Sequence, residues 1–181
     1  MNNNTNTNTK LIAFHGQQAI KDKYLARVAA HRAADELIRG TGWDGHKGCA
    51  VGCTLEAYDH RAYETELGIP EVLAHLEDAI FERLPLDQAI QWPEKFLTAI
   101  KPGSDLSKIS AHFMIWLLEM ELADHTSKES RRVVDLYRRR LVDDEPKNEE
   151  WTEAAWAAEA AESTSYSRMS SKLLELLEQA R

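Results

Sequence analysis

Apolar positions along this chain recur at the spacing of helices and nowhere alternate over a convincing strand length. In QQAIKDKYLARVAAHRAADELIRG, residues 17 to 40, Ile20, Tyr24, Val28, Ala34 and Ile38 fall near a 3.6-residue period. This predicts a helix ended by Gly40 and Gly42. Residues 40 to 48 read as loop, Cys49 to Tyr58 as a short helix, and Asp59 as the cap of a further short helix ending at Gly68. GIPEVLAHLEDAIFERLP is clearly punctuated: Pro70 fits the first helical position, Glu71 the first turn, and Pro85 stops the helix. Val72, Leu73, Leu76, Ile80 and Leu84 are its expected buried face, with Ala79 and Phe81 beside them.

Residues 86 to 101 predict two short helices broken at Trp92-Pro93. After KPGSD, Ser104 or Asp105 caps LSKISAHFMIWLLEMELAD. That segment is apolar nearly all round, so it is expected at the centre of the fold. Thr126 or Ser127 opens SKESRRVVDLYRRRLVDD, and DDEPKNEE is a charged turn. The last segment, EEWTEAAWAAEAAESTSYSRMSSKLLELLEQAR, reads as one long helix with a stripe through Trp151, Ala155, Ala158, Glu162, Tyr166, Met169, Leu173, Leu176 and Leu177. Its ESTSYS patch is weak in helix propensity. MNNNTNTNTK has nothing to bury and predicts a disordered tail.

The expected architecture is therefore all-α: a bundle of about six to eight helices with a long C-terminal helix. Residues 1–13 are assigned to the polar tail, 14–145 to a helical domain, and 146–181 to an Ala/Trp-rich helix that packs on the domain or on a second chain. Scarce glycine and proline, at 8 and 5 of 181 residues, agree with helix over sheet.

Charge narrows the partners. A net charge of −8 argues against general nucleic-acid binding, which needs a basic surface. The polar N-terminus has no signal-peptide core, and the longest apolar run, FMIWLL, is far too short to span a membrane. Two cysteines are too few for a disulfide scaffold. The expectation is a soluble cytoplasmic protein with reduced thiols and no membrane partner.

Chemistry concentrates in GTGWDGHKGCAVGCTLEAYDHRAYETE. Cys49 and Cys53 share one face of a short helix, and Cys49 sits at its start behind His46 and Lys47. A helix N-terminus lowers a thiol pKa, so these are candidate catalytic residues. His31 and Asp35, one turn apart, would complete a Cys-His-Asp arrangement. His46, Cys49, Cys53 and His60 are a candidate zinc or iron set, although His-x₂-Cys-x₃-Cys-x₆-His matches no standard spacing. Against all of these stands cysteine as a small buried hydrophobe, the role this residue type favours. The glycine loop leads into a helix start and so keeps anion binding as an alternative, but it lacks both GxGxxG and GxxxxGK[ST], so nucleotide binding is not supported and the cofactor is unknown. Tyr63 to Glu66 and Glu77-Asp78 read as solvated helix faces. Lys128, Arg131, Arg132, Arg138, Arg139 and Arg140 are a candidate surface for nucleic acid or an acidic partner. Internal pairing with DDEPKNEE and the last helix is the favoured alternative.

AIKDKYLARVAAHRAADELIRGTGW, KGCAVGCTLEAYDHRAYETELGIPEVLAHLEDAIFERLP and the AAWAAEAAE tail ending SRMSSKLLELL resemble a group of uncharacterised bacterial proteins. The resemblance spans most of the chain outside the N-terminal tail. The group's tails are often longer alanine and tryptophan arrays. It implies that residues 14 to 181 are one inherited unit, and it implies no activity. The function expected is a non-enzymatic interaction or self-association module, with a homo-oligomer through the C-terminal helix. The alternative is a thiol- or metal-dependent enzyme or redox module centred on Cys49 and Cys53. A weaker alternative is nucleic-acid or acidic-partner binding through Arg131 to Arg140.

Overall fold

Helix α1 (Gln18–Ala33) turns Tyr24 and Val28 into the core and leaves Ile20 and Leu25 at its margin. It ends well before Gly40. Asp35 adopts a left-handed φ of 55°, and the chain then doubles back so that Gly48 N donates to Glu36 O at 3.1 Å and Ile38 N to Gly48 O at 2.8 Å. Leu37 is buried by this fold-back, while Ala34, expected on the apolar stripe, is exposed. The computed structural model describes residues 11–121, 128–151 and 166–180, and among them all regular structure is helical.

The next helices are α2 (Ala50–Leu55), α3 (Ala62–Leu67), α4 (Glu71–Arg83), α5 (Leu86–Ala89) and α6 (Trp92–Ala99), all short except for α4. Asp59, expected as the cap of α3, stands two residues too early: the cap position is Arg61, and no side chain caps the helix. The Asp59 carboxylate instead closes a local turn by accepting from Arg61 N at 3.0 Å, its carbonyl accepting from Ala62 N at 3.2 Å. Prolines flank α4, and Pro93 stands in the first turn of α6, where a missing N–H costs nothing. On α4 the fully buried line is Leu73, Ala74, Glu77 and Ile80. Val72, expected on that face, is 46% exposed. Neighbours on a helix diverge by about 100°, so a face centred on Leu73 and Glu77 carries Val72 outward.

Helix α7 (Ile109–Trp116) widens into a π turn over Leu117–Glu121 and joins two apolar clusters. Its Ile109 and Phe113 belong to the main core. A smaller cluster holds Leu118 with Val133, Val134 and Leu136 of α8 (Lys128–Leu141), backed by Ile115, Tyr137 and Trp151. The final helix, α9 (Tyr166–Gln179), returns to the main core and packs on α4, α6 and α7 through Leu173 and Leu177. Lys101 Nζ donates to Glu178 O at 2.9 Å and Ser104 Oγ to Ala180 O at 3.3 Å, fixing its end. The same 101–104 loop holds the N-terminal segment, with Ala13 N donating to Ser104 O at 3.1 Å. Ala13, assigned to the tail by sequence, is fully buried. Residues 1–10 of that tail, the Thr126 and Ser127 cap and the alanine stripe from Ala155 to Glu162 lie outside the described residues. No helix among the described residues is long and apolar enough to cross a membrane.

Candidate functional site

The GCAVGC segment is built by close backbone packing. The 40–43 loop crosses the face of α2 so tightly that a Cβ on Gly52 would lie 1.8 Å from Gly42 O, and one on Gly48 would lie 2.2 Å from the same atom. Glycine is the only residue that admits this approach. Cys49 N donates to Thr41 O at 2.8 Å and to Gly42 O at 3.1 Å, so the loop and the helix entry are one unit.

Both cysteines face inward. Cys49 is the cap of α2, its sulfur accepting from Gly52 N at 3.5 Å, and Cys53 Sγ donates to Gly48 O at 3.4 Å. Their exposures are 1% and 0%. The sequence places Cys49 where a helix end lowers a thiol pKa, but burial is the larger effect. It pushes the Cys49 thiol well above its ordinary value, with Asp78 raising it further. It pushes Cys53 up to about 11, against the opposing hydrogen bond with Gly48.

Two imidazole–carboxylate groups flank this helix. In the first, Glu36 bridges two histidines: His31 Nδ1 lies 2.6 Å from Oε2, and His46 Nε2 lies 2.9 Å from Oε1. Trp43 meets His31 edge-on at 5.5 Å between ring centroids. Asp35, the partner expected for His31, stays exposed, because α1 ends before the turn that would have set it there. Glu36 takes its place. Cys53 Sγ also reaches Glu36, at the backbone carbonyl, 3.5 Å away.

The second group centres on Asp78. Its Oδ2 lies 3.2 Å from His60 Nε2 and accepts from Tyr58 OH at 3.2 Å. His60 stacks on His75 with centroids 4.0 Å apart and planes 10° from parallel. Cys49 borders the same carboxylate. The order is therefore thiol, carboxylate, imidazole. The carboxylate holds the thiol protonated, and among the described residues no histidine hydrogen-bonds to either sulfur. The expected metal set is not assembled either. His46 goes to Glu36 and His60 to Asp78, and among the described residues no three His, Cys, Asp or Glu side chains stand as a ligand group.

Beside Asp78 lies Glu77, a residue whose charge suggests a solvated face. It is instead fully buried. Tyr63 OH donates to its Oε2 at 2.6 Å, Trp92 Nε1 donates to its backbone carbonyl at 2.9 Å, and Oε1 has no hydrogen-bond partner. Burial pushes its carboxyl up to about 8; Asp78 adds to the rise and the Tyr63 hydrogen bond opposes it. A signal for this is present in the sequence: Glu77 is four residues from both Leu73 and Phe81, in the middle of the apolar stripe. No comparable pattern marks Glu36, whose place depends on where α1 stops.

The last three arginines of α8 are turned to neighbouring acids. Arg138 pairs with Glu119 and, at 3.2 Å, with Asp135. Arg139 pairs with Asp144 and Glu150, each at 2.7 Å, and Arg140 with Glu145 at 3.2 Å. Arg131 is exposed, and the side chains of Lys128 and Arg132 lie outside the described set. No family model matches the chain, and no curated protein or solved structure matches it.

Proposed function

We propose that this chain is a non-enzymatic helical interaction module that self-associates through the corner where the α2–α3 connection meets α4. One observation carries this reading: a run of stacked rings, Tyr58, His60 and His75, on that corner, with the exposed Val72 on the same helix as His75. Tyr58 is 55% exposed and the His75 side chain 57%, while the nucleophiles beneath are sealed. Tyr58 meets His60 edge-on, His60 stacks on His75, and Val72 stands one turn before His75 on α4. Aromatic side chains with both apolar faces and polar tips are favoured at interfaces. The same corner carries opposite charges, Arg61 and Glu71, 3.8 Å apart. A two-fold copy would therefore meet complementary charge, as an isologous contact needs.

A buried, reduced pair of thiols suits a cytoplasmic setting. The acid pairs of Arg138, Arg139 and Arg140 support internal neutralisation over nucleic-acid binding. Thiol chemistry loses support from the burial of Cys49 and Cys53, which keeps both sulfurs protonated.

The test combines sedimentation velocity across protein concentrations with thiol titration of the native chain. Association that weakens in a Tyr58→Ser/Val72→Ser variant, with thiols silent until urea unfolds the protein, is the expected result. A monomer at every concentration with fast native thiol reaction would overturn the proposal and bring the Cys49/Cys53 reading forward.

A further inference from the structure

A groove of about 340 Å³ runs between the end of α1, one face of α6 and the last turns of α9, on a different set of elements from the interaction corner. This is the lower end of the range for small-ligand sites, roughly 300–1,000 Å³, and suits a metabolite-sized molecule. Ala99 and Leu174 give it an apolar lining. Arg32 of α1 and Glu94 of α6 join two of its walls through an ion pair of 2.9 Å.

Two further charges line the same groove: Lys95 from α6 and Glu178 from α9. Neither side chain makes an ion pair or hydrogen bond with the other, or with any other group among the described residues. Glu178 is instead held by its backbone carbonyl, which accepts from Lys101. A cation and an anion thus line one small space without neutralising each other, and Ala99 and Leu174, on the same two helices, line it with them.

We propose that this groove binds a free α-amino acid with an aliphatic side chain. Lys95 takes the carboxylate, because Arg32 is already held by Glu94. Glu178 takes the ammonium group, and Ala99 and Leu174 cover the side chain. Both rim charges are solvent-exposed, so the binding is weak and falls with added salt. The groove uses none of the residues of the interaction corner, so ligand binding here does not depend on self-association.

The experiment is an NMR titration of the full chain, following backbone amides of Lys95, Thr98, Leu174 and Glu178. The probes are leucine, N-acetyl-leucine with only the carboxylate, leucinamide with only the ammonium group, and inorganic phosphate. Leucine is expected to give saturable shifts confined to the groove, with both singly charged analogues at least about tenfold weaker. Lys95→Met and Glu178→Gln should each weaken leucine by a similar factor, and Lys147→Met, far from the groove in sequence and not part of its lining, should not. No saturable shift at about ten millimolar leucine would overturn the proposal. N-acetyl-leucine or phosphate binding as well as leucine would overturn it too, by showing a simple anion site.

Discussion

A carboxyl group with no exposed surface must settle its charge without water, and Glu77 does so by keeping its proton. Its folded value of about 8 lies above the ordinary 4.5. The stability it contributes is therefore fully present below about 4.5 and is lost as the pH rises through about 8. Above that range either the ionised carboxylate is buried beside Asp78 or the helix pair opens. Urea midpoints of the wild type should fall from pH 6 to pH 9. Glu77→Gln keeps an acceptor for Tyr63 and has no proton to lose, so its midpoint should stay flat over that range. The difference between the two chains at the alkaline end should be on the order of a few kcal/mol, since each tenfold change in proton affinity corresponds to about 1.4 kcal/mol. Parallel curves for both proteins would show that Glu77 is not the group titrating. The position of Glu77 is legible from helical period alone, yet the residue type argues the other way. Charge at a buried position is resolved by the partners available, and here Tyr63 and the Trp92 indole come from other helices, α3 and α6.

At the scale of elements, the helices bounded by proline or preceded by an aspartate turn can be read to within a residue or two. Pro70, Pro85 and Pro93 act through their own backbone, and Asp59 acts through a side chain two residues from its target. The end of α1 cannot be read in that way. Its apolar period continues past Ala33, and what stops it is the fold-back of residues 36–48 onto α2. That contact in turn relies on glycines at 42, 48 and 52. Gly52→Ala is the sharpest probe, because its Cβ would meet a backbone carbonyl, which cannot rotate away as a side chain can. The cost should reach about 3 kcal/mol or more in chemical denaturation, at or beyond the usual limit for overpacking. Gly45, with nothing within 4 Å of its Cβ position, is the contrasting site. There the φ of 101° alone penalises a side chain, so Gly45→Asn should be milder. Equal losses at the two positions would mean that backbone conformation, rather than loop-to-helix contact, sets the requirement.

The whole molecule divides its apolar residues unequally. The main core runs from Ala13 to Ala180 and draws on both ends of the described chain, whereas the smaller cluster has four buried residues, Leu118, Val133, Val134 and Leu136. Local opening free energy follows the apolar surface a unit buries, so α8 should open more easily than α4 or α6. α9 belongs on the other side of this division: Leu173 and Leu177 are fully buried in the main core despite arriving last in sequence. Leu177→Ala should therefore lower global stability by roughly 2–5 kcal/mol, as core truncations do. In native-state hydrogen exchange it should speed the slowest amides of α4 and α6. Val133→Ala should instead speed exchange in α8 and leave those slow amides where they were. If Val133→Ala moved the slow amides of α4 as much as those of α8, the two clusters would open as one unit and α7 would be transmitting the loss. If Leu177→Ala left the slow amides unchanged, α9 would dock on an already complete core, and its burial would be a surface attachment rather than part of the folding unit.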